Sequence, residues 1–178
     1  MSAYEWGSPG ATALVVPLFG AEPAIGAYRR SHTPSGAEGM YAHATLIAPF
    51  YHSGRLGARD SRRIREALSS FEAFDVALAT FGLFEHIGCL YLEPDPREPF
   101  VAMAEALLAV YPEIDFPPEG LEIVPHVTIG GHLTPELQEQ IRQELSPRLP
   151  IRDRVERAVL AERGEDGRWF DRETFELS

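Results

Sequence analysis

The sequence predicts an α+β fold of two similar lobes, each built on a mainly antiparallel sheet flanked by helices, with a cleft between them. Three observations carry this reading. Two stretches, His43-Ala44-Thr45-Leu46 and His126-Val127-Thr128-Ile129, repeat one pattern in the two halves of the chain. The segments around them match in order, each half running strand, helix, His-x-Thr strand, helix, strand, with a break near residues 85 to 88. The 178 residues suit one domain of two lobes, about 12–86 and 87–178, between which strands can be exchanged. Identity between the halves is slight, so the likeness is one of pattern and not a solenoid repeat. A pseudo-twofold axis would bring His43 and His126 together across the cleft.

Each element follows from local chemistry. Residues 1–11 are rich in Gly, Ser and Pro and read as loose. Residues 12–18 form an apolar run typical of a buried strand, and 22–31 form a short helix with Pro23 at a tolerated first-turn position. Residues 32–40 hold Pro34, Gly36 and Gly39 and read as a loop before the first motif strand. Over 58–71, Ile64, Ala67, Leu68 and Phe71 recur at amphipathic helical spacing. Residues 73–84 alternate as a strand, 88–92 are its neighbour, and Pro94-Asp95-Pro96 breaks the chain. A helix over 98–111 carries Phe100, Met103, Leu107 and Tyr111 on one stripe. Residues 112–120 are an acidic, proline-rich loop, and the second motif strand follows. Thr134-Pro135 opens a helix to about 145, and strands over 155–162 and up to 175 close the chain around a Gly164–Gly167 turn.

Composition narrows the function. An apolar fraction of 44% and a charged fraction of 24% belong to a globular protein, and no apolar run approaches the roughly 20 residues that cross a bilayer. The apolar run at 13–19 has no basic segment before it, so no secretory signal is read there. Cys89 is the only cysteine, which leaves no disulfide framework and no thiolate metal cluster, and makes the cytoplasm the default location. The net charge of -11 disfavours long nucleic acid. Every basic residue is an arginine, and seven lie between 29 and 65 against only Glu38 and Asp60. That segment suits a small anionic substrate, unless Arg59, Arg62, Arg63 and Arg65 are simply the wet face of a helix.

The chemistry rests on the two motifs. Residues i and i+2 of a strand project to one face, so each stretch presents an imidazole beside a hydroxyl, with apolar neighbours turned away. Two such strands at one cavity supply two acid/base groups and two neutral donors, a set suited to phosphate chemistry. Either histidine alone could be a satisfied core residue; their pairing, their matched flanks and their matched positions favour a site. His132-Leu133-Thr134 also fits the spacing, but Thr134 precedes Pro135 and serves better as a helix cap.

On these residues the chain resembles the 2H phosphoesterase superfamily, in particular its 2'-5' RNA ligase-like branch, whose signature is two His-x-Thr/Ser-x motifs. The resemblance extends to Tyr28-Arg29-Arg30-Ser31-His32, Gly39, His43 to Phe50 and Cys89 to Pro96, and departs at Thr33, where an aspartate is expected. It implies one such domain over the whole chain, the two motifs lining a central groove, and metal-independent action on a 2',3'-cyclic phosphate or a 2'-5' phosphodiester of a nucleotide or RNA end. His43, Thr45, His126 and Thr128 are then the catalytic candidates, the histidines as general acid and base and the threonines as donors to the non-bridging oxygens. Arg29 and His32 are candidates to contact a second phosphate or the leaving group; Phe50 and Tyr91, with Tyr28 and Phe84, could stack a base. No cofactor or metal is expected, and no His-Glu-x-x-His or comparable ligand spacing is present. The expected partner is a small nucleotide or RNA end, with no membrane, on a monomer. The alternative from another class is a protein that senses a nucleotide in the same cleft without turning it over.

Overall fold

The computed structural model describes residues 7–118 and 120–178. In chain order the elements are β1 (Thr12–Pro17), α1 (Glu22–His32), α2 (Pro34–Ala37), β2 (His43–Ile47), α3 (Ala58–Leu68), β3 (Phe74–Phe84), β4 (Cys89–Asp95), α4 (Glu98–Val110), β5 (Val127–Gly130), α5 (Pro135–Leu145), β6 (Ile151–Val155), β7 (Arg157–Arg163) and β8 (Trp169–Glu176). The fold is α+β. All eight strands join one antiparallel sheet in the order β6-β3-β4-β5-β2-β1-β7-β8.

The expected pair of sheets is therefore one continuous sheet, whose middle is the junction of the two motif strands, β2 and β5. On one side of that junction lie β6, β3, β4 and β5; on the other lie β2, β1, β7 and β8. A division of the chain at residue 86 falls inside the β3–β4 hairpin, whose strands pair from Phe84↔Cys89 to Ala77↔Asp95. The carboxy-terminal hairpin, β7–β8, crosses back to flank the amino-terminal β1.

All six residues of β1 are buried, which explains why it reads as an unbroken apolar run and not as an alternation. Leu14 and Val16 enter the main core, while Ala13 and Val15 join a smaller cluster with Met40, Val159 and Trp169. The main core takes Ile64 and Leu68 of α3, Phe100, Met103 and Leu107 of α4, and Ile141 and Leu145 of α5, each set at helical spacing. The local signals hold in detail at α5: the Thr134 hydroxyl accepts from the Leu137 amide at 3.3 Å, with Pro135 in the first turn. That hydrogen bond accounts for the third His-x-Thr copy.

Other boundaries differ for identifiable reasons. The 32–40 loop contains α2, a single turn whose amino-terminal cap is Thr33, which accepts from the Gly36 amide at 3.0 Å. Strand β4 runs through Pro94 to Asp95. Residues 151–155 form a separate edge strand, β6. Of the loose segment expected over residues 1–11, residues 1–6 lie outside the described residues; Gly10 donates to the Arg163 carbonyl at 2.8 Å and Ala11 is buried. No helix of the described residues is long and apolar enough to cross a membrane.

Candidate active site

The two motifs meet because β2 and β5 are antiparallel neighbours with Ala44 opposite Val127. Continuing that register by one residue each way sets His43 opposite Thr128 and Thr45 opposite His126. Facing residues of an antiparallel pair share a face, so all four polar side chains project together. Ala44, Leu46, Val127 and Ile129 project the other way and are fully buried. The two histidines are then diagonal neighbours, a relation that places residues roughly 7–8 Å apart with their Cβ atoms somewhat closer.

Each ring is held in the same way. His43 Nδ1 lies 2.7 Å from the Tyr41 carbonyl, and His126 Nδ1 lies 2.7 Å from the Val124 carbonyl. A carbonyl only accepts, so Nδ1 carries the proton in both rings and Nε2 is left as the nitrogen for proton transfer. His126 is further braced by aromatic rings, Phe84 edge-on at 5.0 Å and Tyr91 at 5.3 Å. Tyr91 can lie flat there because Gly82 faces it on β3; a Cβ on Gly82 would stand 2.1 Å from the ring. Gly130 serves a similar close approach, since its Cβ would meet the Cβ of His32 at 2.9 Å where α1 packs on β5.

Arg29 lies at the centre of this arrangement. It is only 2% exposed, it follows Ile25 by one helical turn on the buried stripe of α1, and its Nη1 donates to the Thr128 carbonyl at 2.6 Å. Its Nε has no hydrogen-bond partner within the protein, and among the described residues no carboxylate lies within ion-pair distance. Burial draws its pKa down to about 10, so it remains a cation near neutrality. Its Nη2 approaches His43 Nδ1 at 3.5 Å. With that nitrogen already donating to Tyr41, the contact sets two N–H groups against each other. Burial first, and the Arg29 charge second, hold the His43 pKa down to about 3. His126 is lowered for the same reasons, burial foremost, while the Val124 carbonyl works in the other direction.

A cleft of about 690 Å³ opens over the motif face, lined by Thr45, His126, Thr128 and His32 of the sequence-predicted residues. Neither His43 nor Arg29 is among its lining residues; Arg29, the expected phosphate contact, lies where α1 packs on the motif face of β5, against the Thr128 carbonyl and the His43 ring. Phe50 is in the core, 3% exposed and packed at 4.9 Å on Tyr51 and 5.0 Å on Tyr111, and is not a substrate contact. Tyr91 is buried behind His126 and supports that ring. Among the described residues, no arginine of the basic segment borders the cleft. Arg30, Arg55 and Arg65 pair with Glu22, Glu113 and Glu173, Arg63 stacks on Tyr111, and Arg59 and Arg62 point to solvent.

Sequence reasoning missed part of the lining. His86, Cys89, Phe116, Leu121, Ile123, Val124 and His132 all border the cleft. Ile123 and Val124, apolar residues at the end of an otherwise acidic loop, were the available signal. Among the described residues no cluster of three or more His, Cys, Asp or Glu could hold a metal ion.

Comparison with known proteins agrees with this architecture. The model of the 2'-5' RNA ligase superfamily matches residues 17–167, and the chain belongs to that superfamily. A crystal structure of E. coli LigT complexed with 3'-AMP is similar with a TM-score of 0.61 at 16% identity, over 96% of this chain and 99% of that one. The protein TT0787 of Thermus thermophilus matches with a TM-score of 0.61 at 18% identity, over 94% of this chain and 97% of that one. At these identities the likeness is one of fold. A comparison with curated protein sequences finds no match.

Proposed function

We propose that this protein is a metal-independent phosphoesterase that acts on a 2',3'-cyclic phosphate or a 2'-5' phosphodiester of a nucleotide or RNA end by two-histidine acid/base catalysis. The observation that carries the proposal is the mirrored anchoring of His43 and His126. Each donates Nδ1–H to the carbonyl two residues earlier, so each keeps Nε2 for chemistry, on paired strands with a threonine beside each ring. Superfamily membership supports the reaction class, and LigT, a relative in fold, has been crystallised with 3'-AMP and with ATP, which supports a small nucleotide as substrate.

In hydrolysis of a 2',3'-cyclic phosphate, water attacks phosphorus while His43 Nε2 takes its proton. The bond from phosphorus to the 3' oxygen breaks, and His126 Nε2–H protonates that oxygen, leaving a 2'-phosphate. The assignment follows from electrostatics: burial and Arg29 favour neutral His43, the form a base requires. A phosphate anion between the rings raises both pKa values towards the working range. Thr45 and Thr128 donate to the non-bridging oxygens as charge builds, each worth a few kcal/mol. Solvent exchange resets the two protons.

The test is incubation with 2',3'-cyclic AMP and with a 2'-5' linked dinucleotide in the presence of a chelator, with products identified by phosphorus NMR. A 2'-phosphate from the cyclic substrate is expected. A 3'-phosphate would refute the bond assignment, and binding without turnover of either compound would favour a sensor.

A further inference from the structure

Beyond the two motifs, the cleft wall is apolar: Phe84, Ile87, Phe116, Leu121, Ile123 and Val124 border it. Of these, Ile87, Leu121 and Val124 are 43%, 66% and 36% exposed, so part of this apolar wall is open to solvent. The polar lining is histidine and threonine. Among the described residues no arginine borders the cleft, and its one charged carboxylate is Glu122. The sequence contains no lysine, so arginine is the only permanent cation available, and Arg29, bound to the Thr128 carbonyl, is not among the lining residues.

The cleft volume, about 690 Å³, falls in the range of sites for nucleotide-sized ligands. Any phosphate beyond the reacting one would lie there without a fixed cation, near Glu122 and on a chain of charge -11. Polyanions are held mainly by Lys and Arg contacts, whereas a base can stack on aromatic and apolar walls without any charge. We infer that the cleft selects a substrate with a single phosphodiester group and a flat, weakly polar body, a nucleoside 2',3'-cyclic monophosphate, and rejects molecules that carry further phosphates. The inference rests on the phosphoesterase reading above and narrows it. The apolar wall takes the base; the motif face takes the one phosphate.

The experiment compares kcat/KM for adenosine 2',3'-cyclic phosphate and for the same compound bearing a 5'-phosphate, using the native chain and Glu122→Arg. The native protein should prefer the first by about tenfold or more, mainly through KM, and the gap should narrow in about 0.5 M salt and in Glu122→Arg. Hydrolysis of both compounds with equal or greater efficiency on the 5'-phosphorylated one would overturn the substrate inference while leaving the phosphoesterase intact. Hydrolysis of neither by the native chain would remove both.

Discussion

At the residue scale, the two histidines differ in electrostatic setting although they share one anchoring geometry. Both pKa values lie below the ordinary histidine range, and His43 is drawn down to about 3. If His43 acts neutral and His126 protonated, kcat/KM against pH is bell-shaped, with its alkaline limb at or below the ordinary histidine value of about 6.5. A profile that rises through pH 9 would exclude this assignment. Replacing Arg29 by Met removes the second-largest cause of the His43 depression, so the acid limb should move upward. It also removes the hydrogen bond to the Thr128 carbonyl, at a cost of about 1 kcal/mol in stability. A purely structural role for Arg29 would lower the melting temperature without moving that limb. The threonines provide an internal contrast. Thr45→Val or Thr128→Val should lower kcat by about 10²–10³ if each hydroxyl serves the developing charge. Thr134→Ala removes a helix cap worth about 1 kcal/mol and should leave kcat unchanged.

At the element scale, His126 depends on a stack built through Tyr91 on Gly82. A methyl group at residue 82 would overlap the Tyr91 ring, so Gly82→Ala must displace Tyr91 and with it the support of His126. Overpacking of this kind costs about 1–3 kcal/mol, and kcat should fall with it. Gly57→Ala meets nothing within 4 Å and should leave kcat unchanged, costing only part of the amino-terminal cap of α3, about 1 kcal/mol or less. The same scale shows what the sequence could and could not disclose. The motif strands were legible because a period of two is a local property, and α5 was legible because Thr134 and Pro135 mark its start. Strand β6 was not. Arg152, Asp153 and Arg154 break the apolar signal because β6 is an edge, where charge on exposed positions guards unpaired backbone groups. The Ala44↔Val127 register joins residues far apart in sequence, so no local pattern could give it. Arg29 left a trace, a cation at a stripe position on α1, but only packing shows that it is buried against Thr128 and His43. Phe50 was not separable from a substrate contact, because an aromatic residue next to a motif looks the same in sequence whether it faces the cleft or the core.

At the scale of the whole molecule, folding holds two imidazoles below the pKa they regain in the unfolded chain. The unfolded chain therefore binds more protons than the native one between the folded values and about 6.5, so stability rises with pH across that window and is lost on acidification. Glu38, Glu113 and Glu144 are also lowered in the fold, but from 4.5, so the interval between about 4.5 and 6.5 reports the histidines. A His43→Gln, His126→Gln double variant should show a flatter melting temperature across it, as scanning calorimetry would record. Among the described residues no arginine borders the cleft, which is left to histidine, threonine and apolar walls with Glu122. The central claim is that His43 and His126 act together on one phosphate. It is tested most directly by kcat/KM for 2',3'-cyclic AMP in the native chain, His43→Ala and His126→Ala, each confirmed as folded. The account predicts that either replacement lowers it by about 10²–10⁴-fold; turnover that survives the loss of either histidine would contradict it.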